Sequence, residues 1–373
     1  MKRSQSLKNK INTKNWLFVL PTDSVQGSEQ IVMNLAKYLV KNGNKAQVII
    51  LTKKNKKGWI HLENEMKIIY FPFANYIWGI LYFIPYLFFF HKQKTDYTFT
   101  SQTLINGTLG FSKKIGFFKN TKIIVRESNS IFDLFKGPKL MLYSLFYRIG
   151  YSKSSLVICQ TEYMKTQLVT ALPKLFEGIK VQVIPNPIDF LEIETKAKVT
   201  IKALKNKKYL VAAGRLVPAK GFDILIEAFN KVSLKIPDLE LIILGAGKDQ
   251  KKLEEIRDSL GLEDKITFPG YVPNVYPYFK EAEACILSSR IEGFPNVLLQ
   301  MMSQNTKAVA TLSAGGIEDI PGIFKCAPNN IEELSHAIID CLQNNTEKNR
   351  SIFDGYLQGR TQDSFYKAII SNI

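Results

Sequence analysis

Cysteine is sparse in this 373-residue chain: Cys159, Cys285, Cys326 and Cys341 are the whole complement. They lie far apart, mostly in apolar runs, which excludes a disulfide-framed scaffold and reads as reduced thiols of a cytoplasmic protein. Acidic residues are also few, 33 against 50 Lys and Arg, for a formal charge of +17. Such a field favours an acidic partner, whether nucleic acid, an anionic bilayer face or a phosphate-bearing small molecule, unless the lysines only solubilise the surface. No arginine-rich tail, RNP-type motif or Cys/His finger is present, which argues against nucleic acid. No signal peptide is expected either, because the basic stretch Met1 to Lys14 runs into Trp16 to Leu20, too short for its apolar core. The longest uncharged run, 68–90, contains Pro72 and Pro85, and its helical part, 76–90, is shorter than the roughly 20 residues a membrane span needs. A buried helix and a partly exposed helix facing a membrane are favoured for it over a transmembrane helix.

With 46% hydrophobic and 22% charged residues, the composition is that of a globular protein, and the length favours two domains. Apolar strand signals alternate with amphipathic helical ones almost from the start: Trp16 to Leu20, then Glu29 to Lys41, then Val48 to Leu51. Strands are also expected at Tyr97 to Thr100, Lys122 to Val125 and Leu156 to Cys159. Continuous apolar strands separated by helices imply an α/β fold with a parallel sheet covered on both faces. A first domain is expected over 1–190 and a lysine-rich linker over 191–208. A second β/α series is expected at 209–354, and a helix in 355–373, carrying Phe365, Ile369 and Ile370, would return to the first domain.

The chemistry concentrates where strands of the second series stop. Gly214-Arg215-Leu216-Val217-Pro218-Ala219-Lys220-Gly221 comes after the strand at Tyr209 to Ala213 and precedes a helix. Arg215 can grip a diphosphate bidentately there, and Lys220 can add a point charge. Gly245 and Gly247 end the next strand, and glycine lets backbone approach a ligand closely. Thr267 to Val272 ends another strand on the same edge. Glu292-Gly293-Phe294-Pro295-Asn296 then joins the strand Ala284 to Leu287 to a helix, placing a carboxylate and free N–H groups at the carboxyl edge of the sheet, where open α/β sheets bind ligands.

In order and spacing, these motifs resemble the retaining glycosyltransferases of family 4. Supporting matches are Gly27-Ser28-Glu29, Val183 to Asp189 and Gly315 to Glu318. The resemblance implies the GT-B fold, two doubly wound Rossmann-like domains facing each other across a cleft. It implies that Arg215 and Lys220 hold the donor diphosphate and stabilise it as it leaves, and that Glu292 meets hydroxyls of the donor sugar. Backbone at Gly214, Gly245, Gly293, Phe294, Pro295 and Asn296 would lie along the donor, Gly27 would close on the diphosphate from the first domain, and Tyr271 and Val272 would border the base. Two positions depart from the family pattern. Gln300 stands where a second glutamate usually binds the ribose, which is expected to weaken donor binding by roughly 1 kcal/mol. The loop at 100–106 lacks the histidine many relatives place near the reacting sugar, and His61, His91 and His336 read as surface or packing residues. Arg126, Glu127 and Asn106 are the acceptor candidates; Glu127 reads either as a base or as half of a loop salt bridge.

Together the resemblance and the charge imply a bacterial hexosyltransferase that moves a sugar from a nucleotide diphosphate donor, a UDP-sugar by preference, to a hydroxyl of a lipid-linked saccharide. Surface polysaccharide or lipopolysaccharide assembly would be its setting, at the inner face of the cytoplasmic membrane, with peripheral binding to the anionic surface. No metal or cofactor is expected, since no Asp-x-Asp pair occurs at a strand end. The alternatives are a weak or inactive homologue that binds a nucleotide or a partner enzyme, and a nucleotide-sugar epimerase of the same fold.

Overall fold

The computed structural model describes residues 13–373 apart from 26, 56, 91–93 and 206; the basic N-terminal residues 1–12 and His91 lie outside the described residues. The chain divides into two compact units. The first takes residues up to Cys159, then 169–182 and 366–373; the second takes 160–168 and 183–365.

The first unit carries a seven-stranded sheet: β1 (Asn15–Leu20), β2 (Lys45–Ile50), β3 (Lys67–Tyr70), β4 (Tyr97–Thr100), β5 (Lys122–Arg126), β6 (Leu156–Cys159) and β7 (Val181–Val183). Their order is β3-β2-β1-β4-β5-β6-β7, and neighbours are parallel from β3 through β6. The second unit repeats the plan with β8 (Tyr209–Ala213), β9 (Glu240–Leu244), β10 (Ile266–Gly270), β11 (Ala284–Leu287), β12 (Ala308–Thr311) and β13 (Phe324–Cys326). Here the order is β10-β9-β8-β11-β12-β13, parallel throughout. Both are doubly wound Rossmann-type sheets, and in each the connections reverse beside the first strand. The reversal lies between β1 and β4 in one unit and between β8 and β11 in the other. Such reversals leave a crevice at the carboxyl ends of the strands, where ligands of this fold bind.

The apolar runs owe their continuity to burial on both faces. In β8, Leu210 and Ala212 join one core, while Tyr209, Val211 and Ala213 join the other, as the two-residue strand period requires. Helices Phe222–Lys235 and Ile331–Gln343 cover the first face; Asn296–Gln304 and Asn349–Gln358 cover the second.

The domain limits differ from those expected. Residues 191–208 are not a bare linker: a helix, Phe190–Ala197, starts at Asp189, whose carboxylate accepts from the Glu192 N–H at 3.0 Å. Ile193 and Leu204 from this stretch are buried in the second unit's core. The second unit begins earlier, at 183, with Ile188 buried and its N–H bonded to the Arg360 carbonyl at 2.7 Å. At the other end, Phe353 and Leu357 also pack into that core, so only 366–373 belongs to the first unit. There the Tyr366 ring lies 6.3 Å from Trp16 and 5.6 Å from Tyr38.

The aromatic helix Tyr76–Phe90 divides its faces. Ile80, Phe83 and Leu87 are buried, whereas Trp78, Leu81, Phe88 and Phe89 are 61–72% exposed. Gly79 lets it lie on the chain after β2, since a Cβ there would stand 2.1 Å from the Leu51 carbonyl oxygen. Among the described residues no helix is long and apolar enough to cross a membrane.

Candidate active site

At the end of β8, Gly214 donates its N–H to the Leu244 carbonyl at 2.9 Å. Gly245 answers it with φ +144°, and a Cβ there would lie 1.8 Å from the Gly214 carbonyl oxygen. Only glycine fits so close a contact of two strand ends. The Gly245 N–H in turn reaches the Gly270 carbonyl at 2.8 Å, bringing the end of β10 to the same edge, with Tyr271 exposed and Val272 packed on the core.

After Gly214 the chain makes the short helical turn Pro218–Lys220, closed by Gly221 at φ +62°, which starts the helix Phe222–Lys235. A Cβ on Gly221 would stand 2.2 Å from the Ser288 carbonyl oxygen, so the turn is pressed against the continuation of β11. Ser288 Oγ donates to the Lys220 carbonyl at 3.0 Å, and the Arg290 N–H to that of Ala219 at 2.8 Å.

This contact brings Lys220 and Glu292 together across the switch point. Lys220 Nζ pairs with Glu292 Oε1, their side chains 18% and 14% exposed. Ser289 Oγ donates to the same carboxylate oxygen at 2.7 Å, and the Glu292 N–H binds the Ser313 carbonyl at 2.8 Å. Arg215 is exposed and makes no ion pair among the described residues, which leaves its guanidinium available to an anion.

The helix Asn296–Gln304 begins directly after Pro295. Gly293, Phe294 and Pro295 are buried, and the Arg360 guanidinium stands 5.5 Å from the centre of the Phe294 ring. Asn186 Nδ2 donates to Asn296 Oδ1 at 2.5 Å and to Gln160 Oε1 at 2.6 Å, an anchor for the start of this helix. One turn on, Gln300 Nε2 donates to the buried Tyr276 hydroxyl at 3.2 Å. Burial raises the pKa of that hydroxyl, so it stays protonated. Gly27 heads the helix Ser28–Lys41 in the first unit at φ +54°, with open space where a Cβ would stand.

One residue of weight was missed in the sequence, where Arg290 reads as no more than a polar step before the turn. Its guanidinium binds Asp223 through two bonds of 2.8 Å, the Pro218 carbonyl at 2.7 Å and Asn329 Oδ1 at 2.6 Å.

The acceptor candidates need a correction. Arg126 and Glu127 are each 1% exposed and Asn106 is fully buried, so they are interior groups of the first unit and not a surface that meets an acceptor. Glu127 accepts from the Tyr147 hydroxyl at 2.5 Å, from the Tyr151 hydroxyl, from Asn106 Nδ2 at 3.1 Å and from Thr103 Oγ1 at 3.3 Å. Burial raises its pKa against the pull of these donors. Arg126 Nη1 donates to Ser101 Oγ at 2.7 Å, and burial brings its pKa down to about 10. His61 and His336 are exposed, as expected of surface residues.

The sequence model described as Glycosyltransferase Family 4 matches residues 25–190, and that described as Glycosyl transferases group 1 matches 194–356. An uncharacterised glycosyltransferase of Methanocaldococcus jannaschii is 27% identical over 244 residues, 64% of this chain and 58% of that protein. The N-acetylgalactosamine-N,N'-diacetylbacillosaminyl-diphospho-undecaprenol 4-alpha-N-acetylgalactosaminyltransferase of Campylobacter jejuni is 28% identical over 211 residues, 55% of each. These matches span a little over half of either relative's length. Among solved structures, HepE of Anabaena in complex with UDP and glucose has a TM-score of 0.77 at 18% identity, covering 96% of this chain and 98% of that one, a likeness of GT-B fold. The two family matches between them run from residue 25 to residue 356, and the chain belongs to the family 4, group 1 glycosyltransferases.

Proposed function

We propose that the chain transfers a sugar from a nucleotide diphosphate donor, by preference a UDP-sugar, to a hydroxyl of a lipid-linked saccharide, with retention at the anomeric carbon. The observation that carries this reading is the Lys220 and Glu292 pair at the switch point, with the exposed Arg215 on the loop that carries Lys220. An ammonium has three N–H donors and a carboxylate about four acceptor sites, so the pair keeps capacity for a ligand. Lys220 turns its remaining donors to the diphosphate, Arg215 adds a bidentate grip, and Glu292 accepts from hydroxyls of the sugar. As the bond from the anomeric carbon to the phosphate oxygen breaks, both cations meet the charge that develops on the leaving diphosphate, and no metal is required. The acceptor oxygen forms the new bond on the same face, and its proton passes to the departing phosphate.

A lipid-linked acceptor has two supports. The name of the Campylobacter jejuni relative places that enzyme's acceptor on diphospho-undecaprenol. The exposed Trp78, Leu81, Phe88 and Phe89, with the chain's charge of +17, suit an anionic bilayer face, and they support a peripheral location on the inner side of the cytoplasmic membrane, in surface polysaccharide or lipopolysaccharide assembly.

Turnover is measured with a panel of nucleotide sugars: activity with one donor, abolished by Lys220→Ala and by Glu292→Ala, supports the reading, and no turnover with any donor overturns it. Vesicle flotation against salt checks the membrane side; no binding even at low salt counts against it. One observation favours a second reading, a weak or inactive nucleotide-binding homologue: the Gln300 amide, bonded to Tyr276 where the family's glutamate would stand. Tight nucleotide binding without transfer selects it.

A further inference from the structure

We propose that Arg290 is a positioning residue for the donor diphosphate, acting through Lys220. Lys220 closes the turn Pro218–Lys220, so the place of its ammonium depends on the backbone of that turn. Arg290 holds this backbone twice, with its N–H on the Ala219 carbonyl and its guanidinium on the Pro218 carbonyl. The same guanidinium forks onto Asp223, at the start of the following helix, and donates from Nε to Asn329, which sits at φ +60° before the helix Ile331–Gln343. Four side-chain bonds from one residue therefore tie the loops after β8 and β13 to that after β11, two positions before Glu292. A planar fork of donors makes such a junction; an ammonium on a flexible stem does not.

The charge is set for the task. Burial opposes ionisation of Asp223, but the hydrogen bonds and charge of Arg290 outweigh it and hold the carboxyl below its usual pKa. Arg290 and Asp223 are only 25% and 22% exposed, so their geometry is less diluted by solvent than that of a surface pair. Arg290 is spent on the protein and leaves the anion to Lys220 and Arg215.

The inference rests on the reading of this edge as a diphosphate site. It is tested by calorimetry on the full chain with UDP, GDP and ADP and with the matching nucleosides, for wild type, Arg290→Ala, Lys220→Ala and the double variant. Arg290→Ala is expected to weaken the diphosphate that binds by about tenfold, the size of one charge-assisted hydrogen bond, and to leave the nucleoside unchanged. In the Lys220→Ala background the same change is expected to cost nothing further, since two residues that act as a unit are not additive. Additive losses, or an equal loss for the nucleoside, overturn the positioning role while the function stands. If wild type binds none of the diphosphates, the functional reading fails and this inference falls with it. Should Arg290→Ala not fold, Arg290→Lys is put through the same comparison and is expected to show the same selective loss.

Discussion

The two units each carry an acidic and a basic residue at the carboxyl ends of their strands, yet the two sets live in different surroundings. Lys220 and Glu292 keep 18% and 14% of their side-chain surface in solvent. Arg126 and Glu127 are each 1% exposed over the whole residue, and Glu127 is ringed by Tyr147, Tyr151, Asn106 and Thr103. Residue type alone does not separate a ligand site from a structural network: the open pair has hydrogen-bonding capacity to spare for a ligand, and the closed one spends its capacity inside the fold.

The contrast is broken most forcefully at the closed pair. Glu127→Ala removes the acceptor shared by two buried tyrosines and a buried asparagine, and is expected to cost about 3 kcal/mol or more of stability, read from denaturant midpoints. Nucleotide binding by the fraction still folded should be unchanged; a loss of affinity at full stability would make Glu127 a site residue after all. At the open pair the pattern reverses. Lys220→Ala or Glu292→Ala should cost less stability than Glu127→Ala, because this pair still meets solvent, while Lys220→Ala lowers transfer by about 100-fold or more, the scale of one lost donor to a developing anion, and Glu292→Ala lowers it through lost contacts to the sugar hydroxyls.

Acid and base sharpen the same comparison because two carboxyls here are shifted in opposite directions. Glu127 is raised by burial, so its stabilising contribution is complete below its unfolded pKa of about 4.3 and declines as pH rises through the folded value. Asp223 is lowered by Arg290, so its contribution is complete above its unfolded pKa of about 3.9 and is lost as pH falls through the folded value. The stability difference between wild type and Glu127→Gln should therefore shrink as pH rises from the acid range toward neutral, and that between wild type and Asp223→Asn should grow over the acid range. Equal slopes in the two series would remove the distinction.

Much of the open site was legible in the chain because strand ends, glycines and charged residues fall close together in sequence. Gly214 to Gly221 and Glu292 to Asn296 each span a single turn between a strand and a helix, and the periodicity on either side fixes where they sit. Arg290 was not legible as a clamp, since its partners Asp223, Pro218 and Asn329 are 67, 72 and 39 residues away. Glu127 was misjudged for the same reason: its tyrosines lie 20 and 24 residues further on, in a stretch that shows only as an apolar helix. Residues 191–208 looked like a linker because lysines dominate them, and the few inward positions, Ile193 and Leu204, are too sparse to register as a period.

Gln300 is the point at which the open site departs from its family, and its environment sets the size of the last effect. Its Nε2 donates to Tyr276, so the tyrosine hydroxyl is the acceptor in this contact. In Gln300→Glu the direction must invert, with the protonated Tyr276 hydroxyl donating to a carboxylate, which adds charge assistance without moving a heavy atom. The other carboxylate oxygen then accepts from a ligand hydroxyl more strongly than the amide carbonyl does. Nucleotide affinity should tighten by about 1 kcal/mol, one ordinary hydrogen bond, measured by calorimetry beside wild type. An unchanged affinity would mean that Gln300 serves the packing of Tyr276 alone and that ribose recognition has moved elsewhere on this edge.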